Sequence, residues 1–127
     1  MCFEGNRLCF DDKTNRIYFL DKNDYRETGH IDFYDEKGAV SEINELEYID
    51  GKIYANIWKT NTIIAIDPKT GAVLQRIDCT QLYPESSRNA NSEVMNGIAY
   101  DAATKRIFLT GKKWDKLFQV SFIPKTK

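Results

Sequence analysis

An all-β fold built from repeated four-stranded antiparallel units is what the sequence predicts, and three observations predict it. Short runs rich in β-branched and aromatic residues recur along the whole chain, and no long segment carries the helical period of about 3.6 residues. The runs themselves repeat at a fixed spacing. The anchoring stretch is NELEYIDGKIYANIW, from Asn44 to Trp58, in which two such runs flank Asp50-Gly51. An Asp-Gly pair between β-type runs is the strongest short-range hairpin signal.

In order, strands are expected at 7–10, 16–20, 30–34, 46–49, 53–58, 62–66, 73–77, 97–100, 106–109 and 117–122. Asp11-Asp12-Lys13-Thr14-Asn15, Asp67-Pro68-Lys69-Thr70-Gly71 and Asp101-Ala102-Ala103-Thr104 join them. These residues bond their own backbone or preset φ, so the joins are hairpin loops. A short helical turn is expected around 80–87.

Ile17-Tyr18-Phe19-Leu20-Asp21 with Ile31-Asp32 matches Ile63-Ile64-Ala65-Ile66-Asp67 with Ile77-Asp78 at an offset of 46. A second match sets Asn44, Leu46, Tyr48, Ile53 and Ile63 against Asn96, Ile98, Tyr100, Ile107 and Leu117. Four strands in about 40 to 50 residues is the signature of a β-propeller blade, whose sheet needs neighbours to bury both faces. With strands named A to D from the axis outward, the reading is an incomplete first blade over 1–35 with B, C and D. A full blade follows over 36–80, then a last blade over 95–123 with A, B and C. That makes about two and a half blades, part of one ring.

Composition narrows the function. The 127 residues are 42% hydrophobic and 29% charged, as in a globular domain. With 18 basic against 19 acidic residues, interspersed, no field attracts phosphate backbones, so nucleic acid is not an expected partner. The apolar runs are far shorter than the roughly 20 residues of a membrane span, so no membrane is expected either. The start, MCFEGNRLCF, lacks the pattern of a secretory signal, and the chain as written is expected in the cytoplasm. Cys2, Cys9 and Cys79 show no CxxC spacing, and His30 sits in a strand-like run, so neither a zinc site nor a catalytic thiol is expected.

The pieces NELEYIDGKIYANIW, IDPKTGAV and MNGIAYDAATKRIFLTGKKWDKLFQVSF, with the earlier IYFLD, resemble the glutamine cyclotransferase family, the plant and bacterial type of glutaminyl-peptide cyclotransferase. The resemblance runs from about Leu8 to the end. It implies a five-bladed propeller, of which this chain is the C-terminal half, and family members often secreted or periplasmic. The family's Phe-Gly-Glu-Gly type segment, which carries a general acid/base glutamate, has no counterpart here. Phe3-Glu4-Gly5 shares letters with it but falls where the family has a turn leading into strand B.

The implied reaction converts an N-terminal glutamine of a peptide or protein to pyroglutamate. The α-amine attacks the side-chain amide carbon, an oxyanion forms and ammonia leaves, with no cofactor or metal. Proton transfer is worth roughly 10²–10⁴-fold and an oxyanion donor roughly 10²–10³-fold. In a blade, the loop before strand A and the loop between B and C open on one face. Asn44 and Asn96 precede A strands, and Trp58 and Lys112 follow B strands, so all four are expected on one rim of the channel. The resemblance implies that Asn44 binds the substrate amide, Trp58 walls the glutamine pocket and Lys112 is the cation near the oxyanion, with Asn96 and Trp114 as further substrate contacts. Read without it, an Asn before a strand is a turn former and Trp114 a packing aromatic. Glu45 and Glu47 alternate with Leu46. No carboxylate across the channel from Lys112 can be picked out. A non-catalytic propeller module binding peptides or partner proteins on this rim is the alternative. The open blade face is expected to favour self-association.

Overall fold

In the computed structural model, which describes residues 2–4 and 7–123, the chain lays down three successive antiparallel meanders. The first consists of β1 (Cys2–Glu4), β2 (Arg7–Asp11), β3 (Arg16–Asp21) and β4 (Glu27–Asp32), each paired with the next. A ribbon of β5 (Tyr34–Asp35) and β6 (Gly38–Ala39) leads to the second sheet. That sheet runs β7 (Ile43–Ile49), β8 (Lys52–Ile57), β9 (Thr62–Ile66) and β10 (Val73–Asp78). The third is β11 (Met95–Asp101), β12 (Arg106–Gly111) and β13 (Phe118–Val120). The connection before it holds a 3₁₀ turn, Glu85–Ser87. The architecture is all-β, part of a β-propeller.

The turns follow their chemistry. Asp50 and Gly51 take φ of 48° and 84°, the double positive φ that lets a two-residue loop match the twist of its strands. The Asp67 carboxylate accepts the Lys69 N–H at 2.9 Å, and Asp101 binds the Ala103 N–H at 3.1 Å. Gly71, φ 83°, sits so close to Asp32 that an added Cβ would lie 2.0 Å from its carbonyl oxygen, which keeps the position to glycine.

The middle sheet explains its own sequence. Ile64 and Ile66 of β9, with Ile53 and Ala55 of β8, pack towards Ile17 and Phe19 of the first sheet. Ile63, Ala65 and Tyr54 pack the other way, towards Met95, Ile98 and Leu109. Both faces are covered, so 63–66 reads as an unbroken apolar run, whereas β10, exposed at Leu74, Gln75, Arg76 and Asp78, carries polar groups. A fully buried Ile contributes roughly 1.5–3 kcal/mol, and these two interlayers supply most of the core.

Three sequence expectations change. Cys2–Glu4 is a strand rather than a turn, so the first sheet has four strands among the described residues; a three-residue strand is too short to register as a run. Glu4 therefore lies in β1, and its side chain is outside the described residues. Asn44 and Asn96 lie inside β7 and β11, not ahead of them, because both strands begin before a break in their regular alternation. The run at 30–34 divides at Phe33, whose ring is fully buried between β4 and β5.

Candidate active-site rim

The break in β7 is a bulge. Ile43 faces Ile57 and Leu46 faces Ala55, so Asn44 and Glu45 together oppose the single residue Asn56. β11 repeats it: Met95 faces Gly111 and Ile98 faces Leu109, leaving Asn96 and Gly97 opposite Thr110. Bulges bend a strand and re-aim side chains, and they are common beside active sites. Gly97 needs to be glycine, since its φ is 136° and a Cβ there would lie 3.0 Å from Thr110 Cγ2.

Beyond the bulges the two hairpins stay matched. The Trp58 N–H donates to the Glu42 carbonyl at 2.9 Å, and the Lys112 N–H donates to the Val94 carbonyl at 2.9 Å. Trp58 and Lys112 therefore occupy the same backbone station in consecutive sheets. The residue after each is left-handed, Lys59 at φ 65° and Lys113 at φ 59°, as is Lys13 at 69° in the corresponding loop of the first sheet. β7 and β11 are in contact, so the stations share one rim.

Asn44 and Trp58 meet in a pocket of about 150 Å³ whose other walls are Lys13, Glu42 and Ile43. Trp58 is 42% exposed, with the Lys59 ammonium 4.5 Å from its ring centroid. Glu42 has a left-handed φ of 60°. The pocket thus offers an amide, an indole face, a carboxylate and an ammonium.

The third sheet presents a different chemistry at its station. Lys112 Nζ lies 3.5 Å from one oxygen of Glu93 and Lys113 Nζ 2.9 Å from the other. The hydrogen bond from Lys113, with the charges of both lysines, holds the Glu93 carboxyl below the usual glutamate range. Trp114 donates its indole N–H to the Glu93 carbonyl at 2.8 Å, meets Tyr83 edge-on at 5.1 Å and has the Arg88 guanidinium 4.5 Å from its centroid. Arg88 also bonds the Tyr83 carbonyl at 2.8 Å and Asn61 Oδ1 at 3.2 Å, pinning the connection from β10 to β11 across two loops. A wider depression of about 390 Å³ lies along this connection, lined by Glu85, Arg88, Asn89, Ser92, Glu93 and Val94. Asn96 is half-buried, and its Oδ1 has no hydrogen-bond partner among the described residues.

The structure brings Asn44 and Trp58 together, and sets Asn96, Lys112 and Trp114 on the next sheet's part of the rim. Glu47 is half-buried in β7; burial pushes its carboxyl up, partly offset by the N–H groups of Tyr48 and Tyr100. Sequence reasoning missed Lys13, Glu42, Asn56 and Glu93. A signal existed for Lys13, because Lys13-Thr14-Asn15 recurs as Lys59-Thr60-Asn61 at the same offset of 46. Cys79 is buried, which, with Asp78 nearby, pushes its thiol up to about 11, the state of an unreactive thiol.

The sequence profile described as glutamine cyclotransferase matches residues 1–122. A glutaminyl-peptide cyclotransferase of Arabidopsis thaliana is 37% identical over 120 residues, covering 92% of this chain and 37% of that protein. The crystal structure of the Myxococcus xanthus glutaminyl cyclase matches with a TM-score of 0.84 at 35% identity, over 94% of this chain and 53% of its own. The chain thus spans between about a third and about a half of the length of these relatives. It belongs to the glutamine cyclotransferase family.

Proposed function

We infer that this chain carries one part of the active site of a glutaminyl-peptide cyclotransferase, acting on peptides or proteins with an N-terminal glutamine. The observation that carries this reading is the pairing of Asn44 and Trp58 in one pocket, with Lys112 at the same backbone station one sheet further round. In the reaction the α-nitrogen gives up a proton to a base as it bonds to Cδ of the side-chain amide, the Cδ–N bond breaks, and the amide nitrogen takes a proton back from the acid and leaves as ammonia. Asn44 orients the carboxamide, Trp58 excludes water from one side, and Lys112 stabilises the oxyanion. Donors of that kind are worth roughly 10²–10³-fold. The general acid/base carboxylate belongs to the part of the relatives that this chain does not span.

One observation favours the alternative, a peptide-binding module without turnover: the Lys112 ammonium already faces Glu93 at 3.5 Å. Ammonia release from a peptide with N-terminal glutamine separates the two readings. The chain alone is expected to be slower than a complete relative by at least the roughly 10²–10⁴-fold of proton-transfer catalysis, and complementation with a family-like N-terminal half should restore activity. Binding without turnover even after complementation would leave the module reading. Self-association, to cover the blade face that lacks a neighbour, is part of the proposal. Sedimentation showing a monomer at all concentrations would refute it.

A further inference from the structure

We propose that Glu42 is the anion that receives the α-ammonium of the N-terminal glutamine, an inference that rests on the reading above and adds a residue to it. An N-terminal amine titrates near 7.7–8.0, so the substrate arrives mostly as a cation, and the pocket must meet that charge before the amine can be made a nucleophile. Glu42 is the carboxylate among the pocket's lining residues, beside Asn44 and Trp58.

Two independent features point the same way. Glu42 has φ 60°, a conformation uncommon outside glycine, and the Trp58 N–H to its carbonyl, at 2.9 Å, ties it to the indole-bearing residue. The backbone of Glu42 is thus registered to that of Trp58. The indole face is itself a cation site: the Lys59 ammonium lies 4.5 Å from the Trp58 centroid. A carboxylate and an aromatic face suit an ammonium, which here competes with Lys13 of the same pocket and with Lys59 over the indole.

The neighbouring sheet supplies the contrast. There the residue matching Glu42 is Val94, whose carbonyl accepts the Lys112 N–H at 2.9 Å. One station matches Glu42 with an indole, the next matches Val94 with Lys112, whose ammonium faces Glu93 at 3.5 Å. The first suits the ammonium end of the substrate, the second the oxyanion that develops on its side chain.

The test is a titration of the whole chain, followed by the Trp58 indole N–H resonance. The probes are the amide of Gln-Ala, its N-acetyl form, which has no amine charge, and the amide of Ala-Ala. The wild-type chain should bind the free-amine Gln probe more tightly than the acetylated one. Glu42→Gln should weaken the free-amine probe by about fivefold, the scale of an exposed ion pair, and leave the acetylated probe unchanged. Glu42→Asp should recover part of the loss, and added salt should reduce the preference in the wild type alone. If Gln-Ala amide binds but Glu42→Gln leaves its preference over the acetylated form intact, the assignment of Glu42 is wrong and the reading of the pocket stands. If Gln-Ala amide binds no better than Ala-Ala amide, the reading of the pocket fails and Glu42 falls with it.

Discussion

The side-chain oxygen of Asn56 accepts the backbone N–H of Gly97 at 3.1 Å, so a residue of the second sheet holds the bulge of the third. Asn56 is fully buried, and it stands opposite the bulge of its own sheet as well. Its amide nitrogen has no hydrogen-bond partner among the described residues, so this contact is kept at the expense of an unpaired donor. One side chain thereby fixes the spacing of the two rim stations. Asn56→Ala should lower stability by about 1–3 kcal/mol, since it strands a buried N–H. Gly97→Ala should cost a similar amount, because the new Cβ meets Thr110 Cγ2 at 3.0 Å at a φ of 136°. Urea midpoints measure both, and two unshifted midpoints would contradict the linkage.

Lys112 and Lys113 share Glu93 yet should differ in consequence. Both ion pairs are exposed, so replacing either lysine with alanine should change stability by no more than about 0.5 kcal/mol. In a complemented, active enzyme, Lys112→Ala should reduce pyroglutamate formation by roughly 10²–10³-fold, whereas Lys113→Ala should be nearly silent. Equal losses from the two would point to a diffuse charge effect instead of a placed oxyanion donor.

Trp114 should be a stability residue. Trp114→Ala removes the edge-on contact with Tyr83, the hydrogen bond to Glu93 and the face under Arg88. Because Trp114 is only part-buried, a loss of about 1–3 kcal/mol is expected, with loosening of the connection from β10 to β11. Amide hydrogen exchange across that connection is the measurement, and unchanged protection would show that the loop holds without its anchor.

Acid should weaken the fold through its turns. The Lys37 N–H and Arg76 hold Asp35 below the usual carboxylate range, the Thr104 hydroxyl does so for Asp101, and the Thr14 hydroxyl for Asp12. Groups depressed in the folded state contribute stability that is present above the ordinary carboxylate pKa of about 4 and is lost as pH falls through their folded values. The urea midpoint should therefore be flat near neutrality and fall below about pH 4. A midpoint that holds to about pH 2.5 would show that these turn carboxylates carry no net stability.

The hairpin from Asn44 to Trp58 was legible because its turn and its alternation are local: Asp50-Gly51 demands positive φ, and Leu46, Ile49 and Ile53 mark the buried positions. The bulges were not, since nothing in Asn44-Glu45 differs from an ordinary pair of strand residues, and the extra residue shows only when β8 is laid beside it. Asn96-Gly97 carried a hint in its glycine. Lys13 reaches the pocket from the first sheet, so its meeting with Trp58 depends on how sheets pack, whereas Glu42 meets Trp58 across the same hairpin, one residue ahead of β7. The approach of Glu93 to Lys112 depends likewise on the fold of a long connection pinned by Arg88.

The repeated backbone station at Trp58 and Lys112 has a bearing on how such a rim can change. Each side chain is carried by the same N–H to carbonyl bond and the same left-handed lysine after it, and neither is needed by the interlayers of the core. The same station carries an indole in one sheet and an ammonium in the next. Because neither side chain belongs to the core clusters, exchanging the residue at this station changes the chemistry of the rim with little effect on the fold.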